Sequence, residues 1–185
     1  AGMKSLLMRM KPQNIEDITI AISLYRPGPM DSIPKFLENR KNPDKITYAD
    51  KRLESILSVT NGCIVYQEQV MQIFRSLAGY SFGRADIVRR AMAKKKKDVM
   101  QAERQYFLYG KKSEDGKTEC VGAVANGVPE EKAAEIYDDM AAFAQYAFNK
   151  SHAAAYAHLA YYTAYLKVHF SAQYMAALLN SVIDR

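Results

Sequence analysis

Residues Phe148 to His152 set a phenyl ring, an amide, an ammonium, a hydroxyl and an imidazole in a row. Lys150 and His152 at a helix start can hold an anion together with free backbone N–H groups, and a ring such as Tyr156 can stack on a base without reading its identity. A second cluster, "GRADIVRRAMAKKKKDVM" at 83–100, holds seven basic residues between Arg84 and Lys97 against one acid, Asp86. At helical spacing Arg89, Arg90, Lys94, Lys96 and Lys97 fall in one arc of about 160°. Ile87, Val88, Ala91 and Met92 fill the opposite side, and Lys95 lies toward that apolar side. Such a ridge is either a solvated face or a surface for phosphates. Like charges one turn apart repel, and between Arg84 and Lys97 Asp86 with Arg90 is the one opposite-charge pair four residues apart. That shortage favours a polyanion.

Phosphoryl transfer through metal ions needs two or three carboxylates converging on a point. The acids here are poorly arranged for that. Asp138 and Asp139 are adjacent on a helix and diverge by about 100°. Glu130 and Glu131 suit a helix N-terminus, and "SEDG" reads as loop. No Asp-x-Asp on a strand, Gly-rich phosphate loop or nucleophile elbow appears. His152, His158 and His169 share one helix, but no carboxylate or further ligand is spaced with them as zinc requires. The pattern binds phosphates without the apparatus to transfer them.

The elements that must position these residues come from a chain of 185 residues, 49% hydrophobic and 25% charged. That is globular composition on the scale of one ordinary domain. The net charge of +6 favours acidic partners, nucleic acid first among them. No run of about 18 apolar residues marks a membrane span, and the opening "AGMKSLLMRMKPQ" lacks the apolar core of a signal peptide. Cys63 and Cys120, without metal-ligand spacing, read as free thiols in a reducing cytoplasm.

Strand signals are few, and the pattern predicts an all-α domain. A helix over 13–24 is capped by Asn14, with Asp17 three residues on. "YRPGPMDS" must end it. Helices are expected near 33–39 and 50–59. Ile64 and Val65 suit either extended or helical backbone before a helix that stops near Gly79. Ser81 or Asp86 begins the next, to about residue 95, and Asp98 caps another reaching Gly110. "KKSEDGKTE", 111–119, reads as an exposed loop or hairpin tip. Pro129 opens a helix to about Tyr146. A long helix covers about 151–170, and Ser171 caps a last one. On the long helix Tyr161, Tyr162, Tyr165, Leu166 and His169 are spaced as for a core, with hydroxyls satisfied at its edge.

Four motifs stand in order: "LYRPGPMDS" at 24–32, "GCIVYQEQVMQI" at 62–73, "RRAMAKKK" at 89–96 and "FNKSHAAAYA" at 148–157. Together they resemble the fingers region of the alpha subunit of bacterial DNA polymerase III, the replicative C-family polymerase, in its DnaE type. The resemblance runs from Gly2 to Asn180. Ala93 stands where that family usually has glycine, and Gln145 and Ala147 replace two more.

The resemblance implies that residues 1–12 are a linker from a preceding palm-side region. Residues 13–185 would be the helical fingers, with a surface insertion at 111–119. It implies DNA-templated DNA synthesis by the full polymerase, a nucleotidyltransferase of the cytoplasm. The catalytic aspartates and their Mg²⁺ would lie in the palm, so this chain would bind no cofactor and be inactive alone. Arg89 and Arg90 match arginines near the phosphates of the incoming deoxynucleoside triphosphate, and Lys94, Lys96 and Lys97 extend that phosphate-binding set. Tyr146, Asn149, Lys150, His152 and Tyr156 would face the nascent base pair and template. The implied partners are a DNA primer-template, deoxynucleoside triphosphates, the remainder of the alpha subunit and other replisome subunits, with no membrane. Two other readings fit the residues: a stand-alone helical nucleic-acid-binding module, and a basic domain that docks an acidic protein.

Overall fold

A computed structural model of the chain describes residues 2–94, 97–144, 146 and 148–183. Lys95, Lys96, Gln145 and Ala147 therefore lie outside the described residues, as do Ala1 and the last two positions. The described residues form ten α-helices and one two-stranded hairpin, a mainly helical fold as expected. The chain divides into two compact units, the ends (Ala1–Ile22 with Ser151–Arg185) and the middle (Ser23–Lys150).

In the unit made by the chain ends, α1 (Gly2–Met10) occupies most of the segment expected to be a linker, with Leu6 and Met10 inside, one turn apart. α2 (Ile15–Leu24) starts with reciprocal caps. The Asp17 backbone N–H donates to Asn14 Oδ1 at 2.9 Å, and the Gln13 N–H donates to Asp17 Oδ2 at 2.8 Å. The first satisfies an N–H that the first turn of a helix leaves orphaned, and the second ties the residue before the cap to that turn. α9 (Lys150–His169) and α10 (Ser171–Ile183) complete the helices that contribute to this unit. The aromatic side chains of α9 do not form the expected core. Tyr161, Tyr162, Tyr165 and Leu166 are exposed, and the buried positions are Ala153 and Ala157. Apolar residues surround α9 on every side, so pattern alone could not choose the inner face. The narrow alanine face is the one turned in.

The middle unit is built around α5 (Gln67–Ala78), whose Val70, Ile73, Phe74 and Leu77 are fully buried. α6 (Phe82–Ala93) contributes Ala85, Val88 and Met92 to the same core. α7 (Lys97–Tyr109) contributes Phe107, and α8 (Glu130–Ala144) contributes Tyr137. Phe74 meets Phe107 edge-on at 5.3 Å and Tyr137 at 6.2 Å, so one ring cluster ties three helices together. α3 (Ile33–Lys41) precedes this core, and α4 (Glu54–Leu57) is a single turn flanked by 3-10 turns rather than a continuous helix over 50–59.

Residues 111–119 form part of a hairpin, β1 (Lys111–Lys112) with β2 (Thr118–Cys120). At its base the two backbones approach closely through two glycines. A Cβ on Gly110 would lie 2.4 Å from the Val121 carbonyl oxygen, and one on Gly122 would lie 2.4 Å from the Gly110 nitrogen. Both have positive φ, so only glycine lets these backbones approach. The base also carries an ion-pair network. Arg84 on α6 reaches Glu103 on α7 at 2.9 Å and also pairs with Glu119 on β2, which Lys111 meets at 3.1 Å. Tyr80 donates its hydroxyl to Glu103 at 3.0 Å, and its ring lies 4.9 Å from the Arg84 guanidinium. Arg84 therefore belongs to the framework rather than to the basic ridge.

Candidate nucleotide and nucleic-acid interface

Three of the sequence motifs meet in the middle unit. Gln69 fixes the entry of the second motif into α5. Its side-chain oxygen accepts from the N–H groups of Val65 and Tyr66 at 2.8 and 2.9 Å. Its amide nitrogen donates to the Ile56 carbonyl and the Thr60 hydroxyl at 3.1 and 2.8 Å. A buried amide satisfied at both ends fixes the turn into α5: residues 63–65 stay outside any helix and Tyr66 is extended. Tyr66 can then bridge to Phe148, with the Gln67 N–H donating to the Phe148 carbonyl at 3.0 Å.

On that bridge the first motif lays a cation. The Arg26 guanidinium carbon sits 4.1 Å from the Phe148 ring centroid, and its Nη1 is buried with no hydrogen-bond partner among the described residues. Gly28, at φ 93°, lies so close to the Tyr146 ring that a Cβ would come within 2.3 Å of it. Tyr146 also borders a cavity of about 730 Å³, which Lys35, Tyr48, Cys63 and Asp139 help to line. Burial pushes the Asp139 carboxyl up, with the Lys35 charge working against it. The Cys63 thiol is raised by burial as well.

Glu68 completes the junction. Its carboxylate accepts from the Lys150 backbone N–H at 3.3 Å on each oxygen and from the Asn149 side chain at 3.2 Å. The Lys150 ammonium lies 5.2 Å from the Tyr66 ring. The first turn of α9 thus does not offer all its N–H groups to an outside anion, because an acid of the chain already occupies part of that position. His152 and Tyr156, further along α9, are exposed, with ring centroids 4.7 Å apart.

The basic segment differs from the expected ridge in two ways. It is not one helix: α6 ends at Ala93, Lys94 caps it with ψ near 4°, and Lys97 opens α7. The five cations therefore do not lie along one continuous helix, and Lys96 lies outside the described residues. Cations are favoured at a helix C-terminus, which suits Lys94 as a cap. Second, Ile87 is 69% exposed rather than facing the core, while Val88 and Met92 are buried. Asp86 holds both arginines, Arg89 at 2.7 Å through one oxygen and Arg90 at 2.6 Å through the other. Arg89 is largely covered, whereas the Arg90 side chain is 68% exposed.

The first 115 residues match the family model of the bacterial DNA polymerase III alpha subunit finger domain. The chain belongs to this family. It is 46% identical over 184 residues to the DNA polymerase III subunit alpha of Thermus aquaticus, and 42% identical over 182 residues to those of Staphylococcus epidermidis and Staphylococcus aureus. These alignments cover 97–98% of this chain but only 14–16% of the relatives' length.

Within this fingers domain, two groups of the expected site residues keep company. Tyr146, Asn149 and Lys150 adjoin the junction with Arg26, Tyr66 and Glu68, and Arg89 and Arg90 share Asp86. Glu68, Arg26 and Gln69 were missed as individual residues, although each stands in a quoted motif. Their only sequence signal was a charge or amide inside an otherwise apolar or turn-forming stretch. Among the described residues no three His, Cys, Asp or Glu side chains gather as a metal site, and no helix is long and apolar enough to cross a membrane.

Proposed function

We propose that this chain serves as the fingers of a replicative DNA polymerase, positioning the incoming deoxynucleoside triphosphate and the template for DNA-templated synthesis. Arg90 meets phosphate from the exposed side of α6, with Lys94 and Lys97 nearby in sequence. Arg89, mostly covered and pinned to Asp86, orients the same helix face. Tyr146, Asn149, Lys150, His152 and Tyr156 line the base-pair and template side. In this reading the Mg²⁺ of nucleotidyl transfer is held by a palm region outside this chain. The chain's own share is positioning and charge neutralisation, from which phosphoryl transfer draws most of its catalysis. Its partners in this role are a DNA primer-template, deoxynucleoside triphosphates, the rest of the alpha subunit and further replisome subunits.

The observation that carries this reading is the disposition of α6: Arg90 stays 68% exposed while Val88 and Met92 one helix face away are sealed in the core. Arg90→Ala in a full-length alpha subunit bearing this sequence removes charge without opening a cavity. A charge-assisted hydrogen bond contributes about 1.5–3 kcal/mol, which translates to a loss of about tenfold to hundredfold in kcat/KM for the nucleotide. Single-nucleotide incorporation measures it, with His158→Ala as a control expected near wild type. Normal incorporation by a folded Arg90→Ala variant would sink the phosphate role.

A further inference from the structure

We propose that Asp86 is a positioning residue that orients Arg89 and Arg90 for the triphosphate and, by the same contacts, restrains indiscriminate binding of α6 to polyanions. The proposal rests on the reading of α6 as a phosphate-facing helix and deepens it. One carboxylate serves two guanidinium groups. Asp86 Oδ1 accepts from Arg89 Nε at 3.2 Å and Nη2 at 2.7 Å, and Oδ2 takes Arg90 Nη2 at 2.6 Å. The spacing does this without strain, because residues three and four apart on a helix are neighbours. The two arginine bonds also hold the Asp86 carboxyl below the usual carboxylate range, Arg89 foremost, so it is ionised near neutral pH.

Two consequences follow from the chemistry. A guanidinium has five N–H donors, so an arginine gripped at one edge keeps donors for a second anion. A long side chain already held loses less rotamer freedom when it meets phosphate, which favours a ligand of matching geometry. At the same time Asp86 cancels one of the two arginine charges. That lowers the pull on any passing phosphate, whatever its geometry. Orientation and restraint are separable, because they respond oppositely to loss of the charge.

The test compares Asp86→Asn, Asp86→Glu and Arg90→Ala in a full-length alpha subunit bearing this sequence, each checked by thermal melting. Asp86→Asn is expected to lower kcat/KM for the nucleotide by about tenfold while tightening primer-template binding. The log–log salt slope should steepen by about 0.9 if one more phosphate is engaged. Asp86→Glu, which keeps the charge and can still reach both arginines, is expected to recover most of the nucleotide use. Unchanged kcat/KM in Asp86→Asn alongside an impaired Arg90→Ala would overturn the role of Asp86 alone. Equal impairment of Asp86→Asn and Asp86→Glu, with matching losses in melting temperature, would reduce Asp86 to a helix-stabilising residue and overturn the proposal too. Normal kinetics in Arg90→Ala would instead remove the phosphate reading beneath it.

Discussion

The Glu68 carboxylate receives the Lys150 backbone N–H, 82 residues away in sequence, at 3.3 Å. It thereby acts as a remote N-terminal cap for α9, with Asn149 held to the same carboxylate at 3.2 Å. A negative group here satisfies an orphan donor and complements the positive end of the helix dipole.

Glu68→Ala is accordingly expected to destabilise the chain by about 1–2 kcal/mol, the scale of a lost cap. Glu68→Gln keeps an acceptor and should cost less. Chemical denaturation followed by circular dichroism measures both. If the alanine variant unfolds at the wild-type midpoint, the contact is not holding the helix end.

Arg84 joins α6 to Glu103, with both side chains largely covered, and also meets the more exposed Glu119. Removing one partner of a covered ion pair leaves the other charges uncompensated, so Arg84→Ala should cost about 3 kcal/mol. The exposed hairpin tip, 113–117, takes no part in that network. Replacing only those residues with a Gly-Ser turn should leave the melting temperature nearly unchanged, whereas replacing 111–119 removes Lys111 and Glu119 and should lower it by several degrees. Thermal melts of the two replacements separate tip from anchor; equal melts would mean that the network holds nothing.

The tyrosines of the two units should behave in opposite ways. Tyr137 is buried and donates its hydroxyl to the Met100 carbonyl at 2.7 Å, and burial drives its ionisation well above the ordinary range. Tyr137→Phe should cost about 1 kcal/mol, the scale of one lost hydrogen bond. Tyr165 is 46% exposed, and Tyr165→Ser should stay within about 0.5 kcal/mol of wild type. A large loss in the second variant, measured by denaturant titration of the 185-residue chain, would place α9 in a core.

Local chemistry was legible without the structure wherever one stretch of chain decides it. The Asn14–Asp17 cap, the stop at Gly79, the Ser81 cap of α6 and the helix after Pro129 all lie within a few residues of their causes. The motifs were legible for the same reason, and with them the family. Periodicity failed where composition left no contrast. In α9 every face is apolar, so the choice of Ala153 and Ala157 over the rings could come only from packing. It failed also for charge. A run of cations looks alike in sequence, yet Arg84 finds Glu119 from 35 residues away while Arg90 stays in solvent. Helix ends and turns follow from backbone sterics between neighbours, which a sequence displays. Whether a guanidinium is framework or interface depends on which distant carboxylate the fold brings to it, and only the tertiary structure decides that.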